Sequence, residues 1–99
     1  MLVITGNISV DPSKRDEITT AAIEMMKATR AEPGCIDYAL TWDLVEEGVI
    51  RVIEQWEDQA ALDAHFAFIA SQMDIFARTM GVTKMELKKF EISSISPIR

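Results

Sequence analysis

The chain has 99 residues, of which 48% are hydrophobic, and carries a formal net charge of -6. This length has room for one domain, residues 1–99, which buries a smaller fraction of its surface than a longer chain would. An acidic chain without a basic face is a poor partner for nucleic acid or an anionic membrane. No apolar run approaches the roughly 20 residues of a membrane helix and no signal peptide is visible, so a cytoplasmic location is expected.

Carboxylates are concentrated between residues 43 and 63, where seven acidic side chains stand against one arginine. A charge run of this kind usually forms a solvated loop and solvated strand ends. We therefore expect these side chains, Glu54 among them, to face water. The single cysteine, Cys35, has no partner for an internal disulfide, which is typical of a reducing compartment.

The chain begins with a predicted strand followed by a helix. Residues 2–10 are rich in β-branched side chains and stop at an Asp-Pro pair, residues 11–12. Proline removes a ladder donor there but is well tolerated at a helix start. Apolar residues at helical spacing then predict a helix over 13–31, with Ser13 and Asp16 as a weak capping box.

Two strands joined by a hairpin are predicted next. Glu-Pro-Gly at residues 32–34 ends the first helix, because proline disfavours helical geometry in the residue before it. Period-two alternation predicts strands over 36–43 and 49–57, with the turn at 46–48. The apolar faces of these strands are expected to comprise Ile36, Tyr38, Leu40 and Trp42, and Ile50, Val52 and Trp56.

A second helix and a last strand complete the order. Asp58 is a suitable helix cap, and Gly81 marks the end of the helix. A bend near residues 70–71 is left open by the pattern. Residues 83–92 predict the fourth strand. The apolar stripe of the helix contains Leu62, His65, Phe66 and Ile69.

The resulting βαββαβ order is that of an α+β, ferredoxin-like domain with a four-stranded antiparallel sheet. We expect strands 1 and 3 to be its central neighbours and to run parallel. Helices can cover only one face of such a sheet, yet strands 1 and 3 carry apolar residues on both faces, with Val3 and Ile53 on the second face. A two-fold contact between these faces would cover them, so the pattern predicts a homodimer.

Three segments of the chain carry a family resemblance. They read Glu-Pro-Gly-Cys-Ile-x-Tyr at residues 32–38, Glu-x-Trp at 54–56 and Ala-Leu-x-x-His at 61–65. At this spacing the chain closely resembles the antibiotic biosynthesis monooxygenase family of small dimeric α/β-barrel proteins. The resemblance implies a pocket between sheet and helices. The family and its relatives include quinol and anthrone monooxygenases that work without metal or flavin, haem-degrading enzymes and an isomerase.

Two polar residues are candidates for catalysis. His65, the only histidine, falls on the apolar stripe of the second helix. It could be a packing histidine, but an imidazole titrates near neutrality and can take a phenolic proton. The resemblance favours this role. Asn7 lies in a predicted central strand, where asparagine is disfavoured. Its amide could bind a substrate carbonyl, or it could bond at the dimer surface or to water.

Several apolar residues are candidates for a substrate-binding wall. Trp56 would lie at the same end of the sheet as Asn7 if strands 1 and 3 were parallel. Flexible thioethers and aromatic rings suit a cavity for flat aromatic ligands, although such a stripe is more often core. The other candidates are Phe66, Phe76, Met26, Met73 and Met80.

These residues favour cofactor-independent oxygenation of a small quinol, phenol or anthrone, the activity that the resemblance implies. His65 would remove a hydroxyl proton, Asn7 would steady the oxyanion, and the anion would give an electron to molecular oxygen. One histidine without a second ligand at helical spacing forms no recognisable metal site, and no cofactor is expected. The alternatives are an isomerase or other proton-transfer enzyme using the same base, and a non-catalytic dimer that binds small molecules.

Overall fold

The computed structural model spans residues 1–99 and describes the whole backbone, together with every side chain except those of residues 71 and 73–76. The elements follow the predicted order, and each boundary lies within two residues of the expected one. The second helix is continuous, so the sequence does not break it at residues 70–71. The elements are β1 (Leu2–Ser9), α1 (Arg15–Arg30), β2 (Cys35–Trp42), β3 (Val49–Trp56), α2 (Gln59–Met80) and β4 (Lys84–Glu91).

The four strands form one sheet in the order β2-β3-β1-β4, and all neighbours pair antiparallel. This is the predicted ferredoxin-like, α+β fold. The prediction that β1 and β3 run parallel is wrong, because Leu2 pairs with Trp56 and Asn7 pairs with Arg51. The crossover through α1 returns β2 in the direction of β1, and the hairpin then reverses β3 between them.

An aspartate caps α2 and another caps the short 3-10 turn that precedes α1. Asp58 accepts the backbone N–H of Ala61 at 2.9 Å, as predicted. At the first helix the cap is Asp11, whose Oδ1 accepts the backbone N–H of Ser13 at 2.9 Å and starts a short 3-10 turn that runs into α1. The predicted capping box at Ser13 is therefore wrong. Pro12 is already suited to the first helical position, so the cap falls one residue before it.

The helices cover one face of the sheet, and the core lies between them. Residues of β1 and β3 that point to this face are buried, whereas Ile53 and Phe90, on the other face, are 44% and 46% exposed. A bulge between Cys35 and Asp37 also removes Ile36 from the predicted apolar face, and it is 47% exposed. Within the described part of the chain, no helix is both long and apolar enough to cross a membrane.

Candidate functional site

A cavity of about 80 Å³ lies between the helix-covered face of the sheet and the two helices. This space is several times the roughly 15 Å³ that one water molecule needs by the same measure. Its described walls are mainly apolar and are formed by Ile8, Leu40, Ile50, Val52, Met85 and Leu87 from the sheet, and by Met25, Phe66, Ile69 and Met80 from the helices. Its described polar lining residues are Tyr38, Glu54, His65 and Gln72.

His65 is held at the wall of this cavity by a carboxylate. The second turn of α2 and the apolar stripe of that helix place it there, and its side chain is 1% exposed. Its Nδ1 lies 2.8 Å from Oε2 of Glu32, in the turn between α1 and β2. With the carboxylate accepting the Nδ1 proton, a neutral imidazole carries its lone pair on Nε2. The Glu32 contact fixes the orientation of the ring and leaves Nε2 as the basic nitrogen of the neutral form.

Aromatic rings surround the imidazole. The ring of Trp56 lies 4.8 Å from it between centroids, Tyr38 approaches edge-on at 5.5 Å, and Phe66 is 5.8 Å away. Trp56 is fully buried and does not line the cavity, whereas Phe66 does line it and is 43% exposed. Phe66 therefore lies at the rim of the cavity, and Trp56 supports His65 from behind.

A second carboxyl group lies beside the imidazole. Glu54 is on the buried face of β3, is 5% exposed, and accepts the indole N–H of Trp56 at 3.0 Å. Burial raises the pKa of Glu54, and the Trp56 hydrogen bond and the nearby His65 only partly oppose this shift. The prediction that Glu54 faces water is wrong for this member of the acidic run.

Tyr38 adds a neutral phenol to the same wall. Burial raises the pKa of its hydroxyl, and the negative charges of Glu54 and Glu32 raise it further, so the phenol stays protonated. That hydroxyl donates to the sulfur of Met25 at 3.6 Å. A thioether is a weak acceptor, so this hydrogen bond is a weak one.

The structure brings only part of the predicted site together. Asn7 pairs with Arg51 and Glu86 and lines a shallow polar pocket on the helix-free face, so it does not share a site with His65 in one chain. In the antiparallel register, Trp56 lies five residues along β3 from Arg51, the partner of Asn7. At roughly 3.3 Å per residue, Trp56 is therefore about 16 Å from Asn7 along the sheet.

The predicted apolar wall is also changed in part. Met26 packs with the cluster around Trp56, and its neighbour Met25 lines the cavity instead. The two residues differ by about 100° around the helix axis, so neighbouring positions of the same apolar stripe have different surroundings. Met80 lines the cavity as expected. The side chains of Met73 and Phe76 lie outside those that the structure describes.

Two carboxyl residues of the site were not predicted. A signal for Glu54 exists, because it interrupts the apolar alternation of Val52 and Trp56 on one strand face, and a charged residue in that position is rarely solvated. No local pattern identifies Glu32. It lies in a helix-ending turn 33 residues from His65 in sequence, and only the tertiary fold brings the two together.

Comparison with known proteins identifies the family of the chain. Residues 1–67 match the family model for antibiotic biosynthesis monooxygenases. The YcnE protein of Bacillus subtilis, named as a candidate monooxygenase, is 32% identical over 95 residues, which cover 90% of this chain and 100% of YcnE. An uncharacterised protein of Synechocystis sp. is 34% identical over 83 residues, which cover 78% of this chain and 56% of that longer protein.

Solved structures agree on the fold. A candidate antibiotic biosynthesis monooxygenase from Deinococcus radiodurans superposes with a TM-score of 0.88 at 23% identity, covering 100% of this chain and 99% of the other. A further antibiotic biosynthesis monooxygenase superposes with a TM-score of 0.82 at 25% identity, covering 95% and 100%. The family match over residues 1–67 includes β1 to β3 and both His65 and Glu32. The chain therefore belongs to the antibiotic biosynthesis monooxygenase family.

Proposed function

We propose that this protein is a cofactor-independent monooxygenase that acts on a small electron-rich aromatic compound, a quinol, phenol or anthrone, in the cavity beside His65. The observation that carries the proposal is the pairing of Nδ1 of His65 with Glu32 at 2.8 Å, on the wall of a mainly apolar cavity. The pair supplies a positioned base, and the apolar walls supply a dry space for a flat ring. Membership of the family supports the oxygenase chemistry.

The reaction begins with proton transfer from the substrate. Nε2 of His65 takes the proton of a ring hydroxyl, and Glu32 stabilises the imidazolium that forms. The resulting anion is electron-rich enough to reduce molecular oxygen directly. The ring is oxidised, and one oxygen atom enters it, as a carbonyl in a phenol or anthrone and as a hydroxyl group of the resulting quinone in a quinol. The two hydrogen atoms that the substrate loses leave with the other oxygen atom as water. The protein contributes a base, a fixed substrate orientation and exclusion of bulk water.

Oxygen consumption tests this proposal. With a panel of methylated hydroquinones, naphthohydroquinones and anthrone, we expect uptake well above autoxidation for at least one compound, measured with an oxygen electrode. The dimethyl ether of the same hydroquinone is the matched control, because it has no proton for His65 to remove. Uptake no faster than autoxidation across the panel would remove the oxygenase proposal. Product formed without oxygen would instead identify a proton-transfer enzyme such as an isomerase.

We also propose that the protein forms a homodimer through its helix-free sheet faces. Val3, Ile53 and Phe90 form an apolar strip on this face, and the last two are nearly half exposed. Oδ1 of Asn7, on the same face, is buried without a hydrogen-bond partner among the described residues. A second copy would cover the strip and could supply a donor for this amide.

Size-exclusion chromatography with light scattering checks the dimer. We expect about 22 kDa at micromolar concentration, twice the chain mass of 11.1 kDa. Ile53→Lys is expected to shift the protein towards the monomer, because it places a charge within the covered face. Leu44→Lys is the control, since Leu44 is 98% exposed in a loop away from the strip. A wild-type monomer of 11.1 kDa would contradict the proposal.

A further inference from the structure

Glu54 is an unusual residue for its position. It lies on the helix-covered face of β3 between Val52 and Trp56, both at most 5% exposed, and its own side chain is exposed to the same small extent. Its carboxyl group lines the cavity together with His65. A carboxyl group in this place costs stability unless it is protonated or has several hydrogen-bond donors.

The surroundings of this carboxyl group stabilise an anion only in part. Among the described residues it has one hydrogen bond, accepted from Nε1 of Trp56 at 3.0 Å by Oε1. Burial favours the neutral form, and the negative charge of Glu32 nearby favours it further. In its neutral form Glu54 has an O–H to donate, and the described residues show no hydrogen bond from it. A ligand oxygen in the cavity can accept it.

The other polar groups of the cavity are less well placed for this role. The hydroxyl of Tyr38 already donates to Met25 on α1, although weakly. Asn7, the residue that the sequence favours for steadying an oxyanion, is on the opposite face of the sheet. Trp56 connects Glu54 to His65. Its indole N–H donates to the Glu54 carboxyl group, and its ring packs against the His65 imidazole at 4.8 Å between centroids.

We propose that Glu54 is a substrate-binding residue whose neutral carboxyl group donates a hydrogen bond to the substrate oxygen beside His65, and that the apolar walls and Glu32 make the site accept aromatic hydroxy compounds and reject aromatic carboxylates. The oxygen-dependent part of this role rests on the proposed function, whereas the binding preference does not. When His65 takes the hydroxyl proton, the O–H bond of the substrate breaks and the new oxyanion accepts the Glu54 hydrogen bond.

Binding measurements without oxygen test the proposal. By calorimetry at pH 6, under nitrogen, we expect 2-naphthol to bind at least about 10-fold more tightly than 2-naphthoate, because the apolar walls strip a carboxylate of its hydration and Glu32 adds a negative charge nearby. Glu54→Gln keeps a donor and is expected to retain 2-naphthol affinity within about 3-fold. Glu54→Leu removes the donor and should weaken binding about 10-fold, the loss of one buried hydrogen bond. Glu57→Gln, on an exposed residue just past β3, is the control.

A pH series separates this role from a purely structural one. Wild-type affinity for 2-naphthol should fall as the pH rises through the pKa of Glu54, whereas Glu54→Gln should lose this dependence and keep only that of the other groups. This comparison stands even if Glu54→Leu fails to fold. The titratable groups near Glu54 are Glu32 from the turn, Cys35 and Tyr38 from β2, and His65 from α2. Its uncharged neighbours include Trp56 on β3 and Ile4 on β1.

Three results would overturn the proposal. They are equal 2-naphthol affinity in wild type and a folded Glu54→Leu variant, tighter binding of 2-naphthoate than of 2-naphthol, and no detectable binding of 2-naphthol at millimolar concentration. Failure of oxygen uptake with the binding preference intact would remove the oxygenase function alone. The two proposals therefore fail by different measurements.

Discussion

Replacing His65 with alanine is expected to lower catalysed oxygen uptake by at least about 100-fold, the usual contribution of a positioned general base. The effect should appear mainly in kcat, because the imidazole interacts with the proton that is transferred in the transition state. Binding of the substrate ring depends on the apolar walls instead. It is the only histidine of the chain, so no second imidazole can replace it. Oxygen-electrode rates on the best quinol of the panel check this expectation.

A second variant separates chemistry from folding. His65→Gln keeps an amide N–H that can donate to Glu32, and it fills most of the imidazole volume, but it has no basic nitrogen. It should retain the wild-type circular dichroism spectrum and 2-naphthol affinity while losing activity as severely as His65→Ala. Wild-type rates in either folded variant would exclude His65 as the base and leave it as a packing residue.

The secondary structure was predictable because local signals agree with the global fold. Asp58 and Gly81 fix the ends of α2, and the alternation in β3 separates a buried from an exposed face. The direction of β3 relative to β1 was not correctly predicted, although the same hairpin that joins β2 and β3 determines it. That one error placed Trp56 beside Asn7, when the antiparallel register puts them at opposite ends of the sheet.

The site was less predictable than the fold because its polar groups come from four separate parts of the chain, the turn after α1, β2, β3 and α2. His65 was found from its position on an apolar stripe. Glu32 pairs with it only through the tertiary structure, and Glu54 was hidden within a run of acidic residues whose other members are exposed or half-buried in loops, at the cap of α2 or on α2 itself. The charge count of this segment treats all its carboxyl groups alike. The two-residue period of β3, in contrast, identifies Glu54 as the one carboxyl group of the strand that points inward.

Trp56→Ala is expected to cost about 3–5 kcal/mol of unfolding free energy, the range for truncating a large buried aromatic residue. Trp56 is 0% exposed and packs in the cluster that also contains Leu2, Ile4, Tyr38 and Leu62. Its loss would remove the support of the His65 ring and leave Oε1 of Glu54 without its donor. Urea denaturation followed by circular dichroism measures the change.

Trp56→Phe divides this cost into packing and hydrogen bonding. Phenylalanine keeps most of the buried ring but removes the indole N–H, so we expect a loss of about 1–3 kcal/mol from the unpartnered carboxyl oxygen. Trp42→Phe is the matched control, because its indole also donates a hydrogen bond, to Thr19 at 2.9 Å, but at a half-buried site beside Arg15. The cost there should be clearly smaller. An equal or larger loss at Trp42 would mean that the hydrogen bond between Trp56 and Glu54 is not an important source of stability.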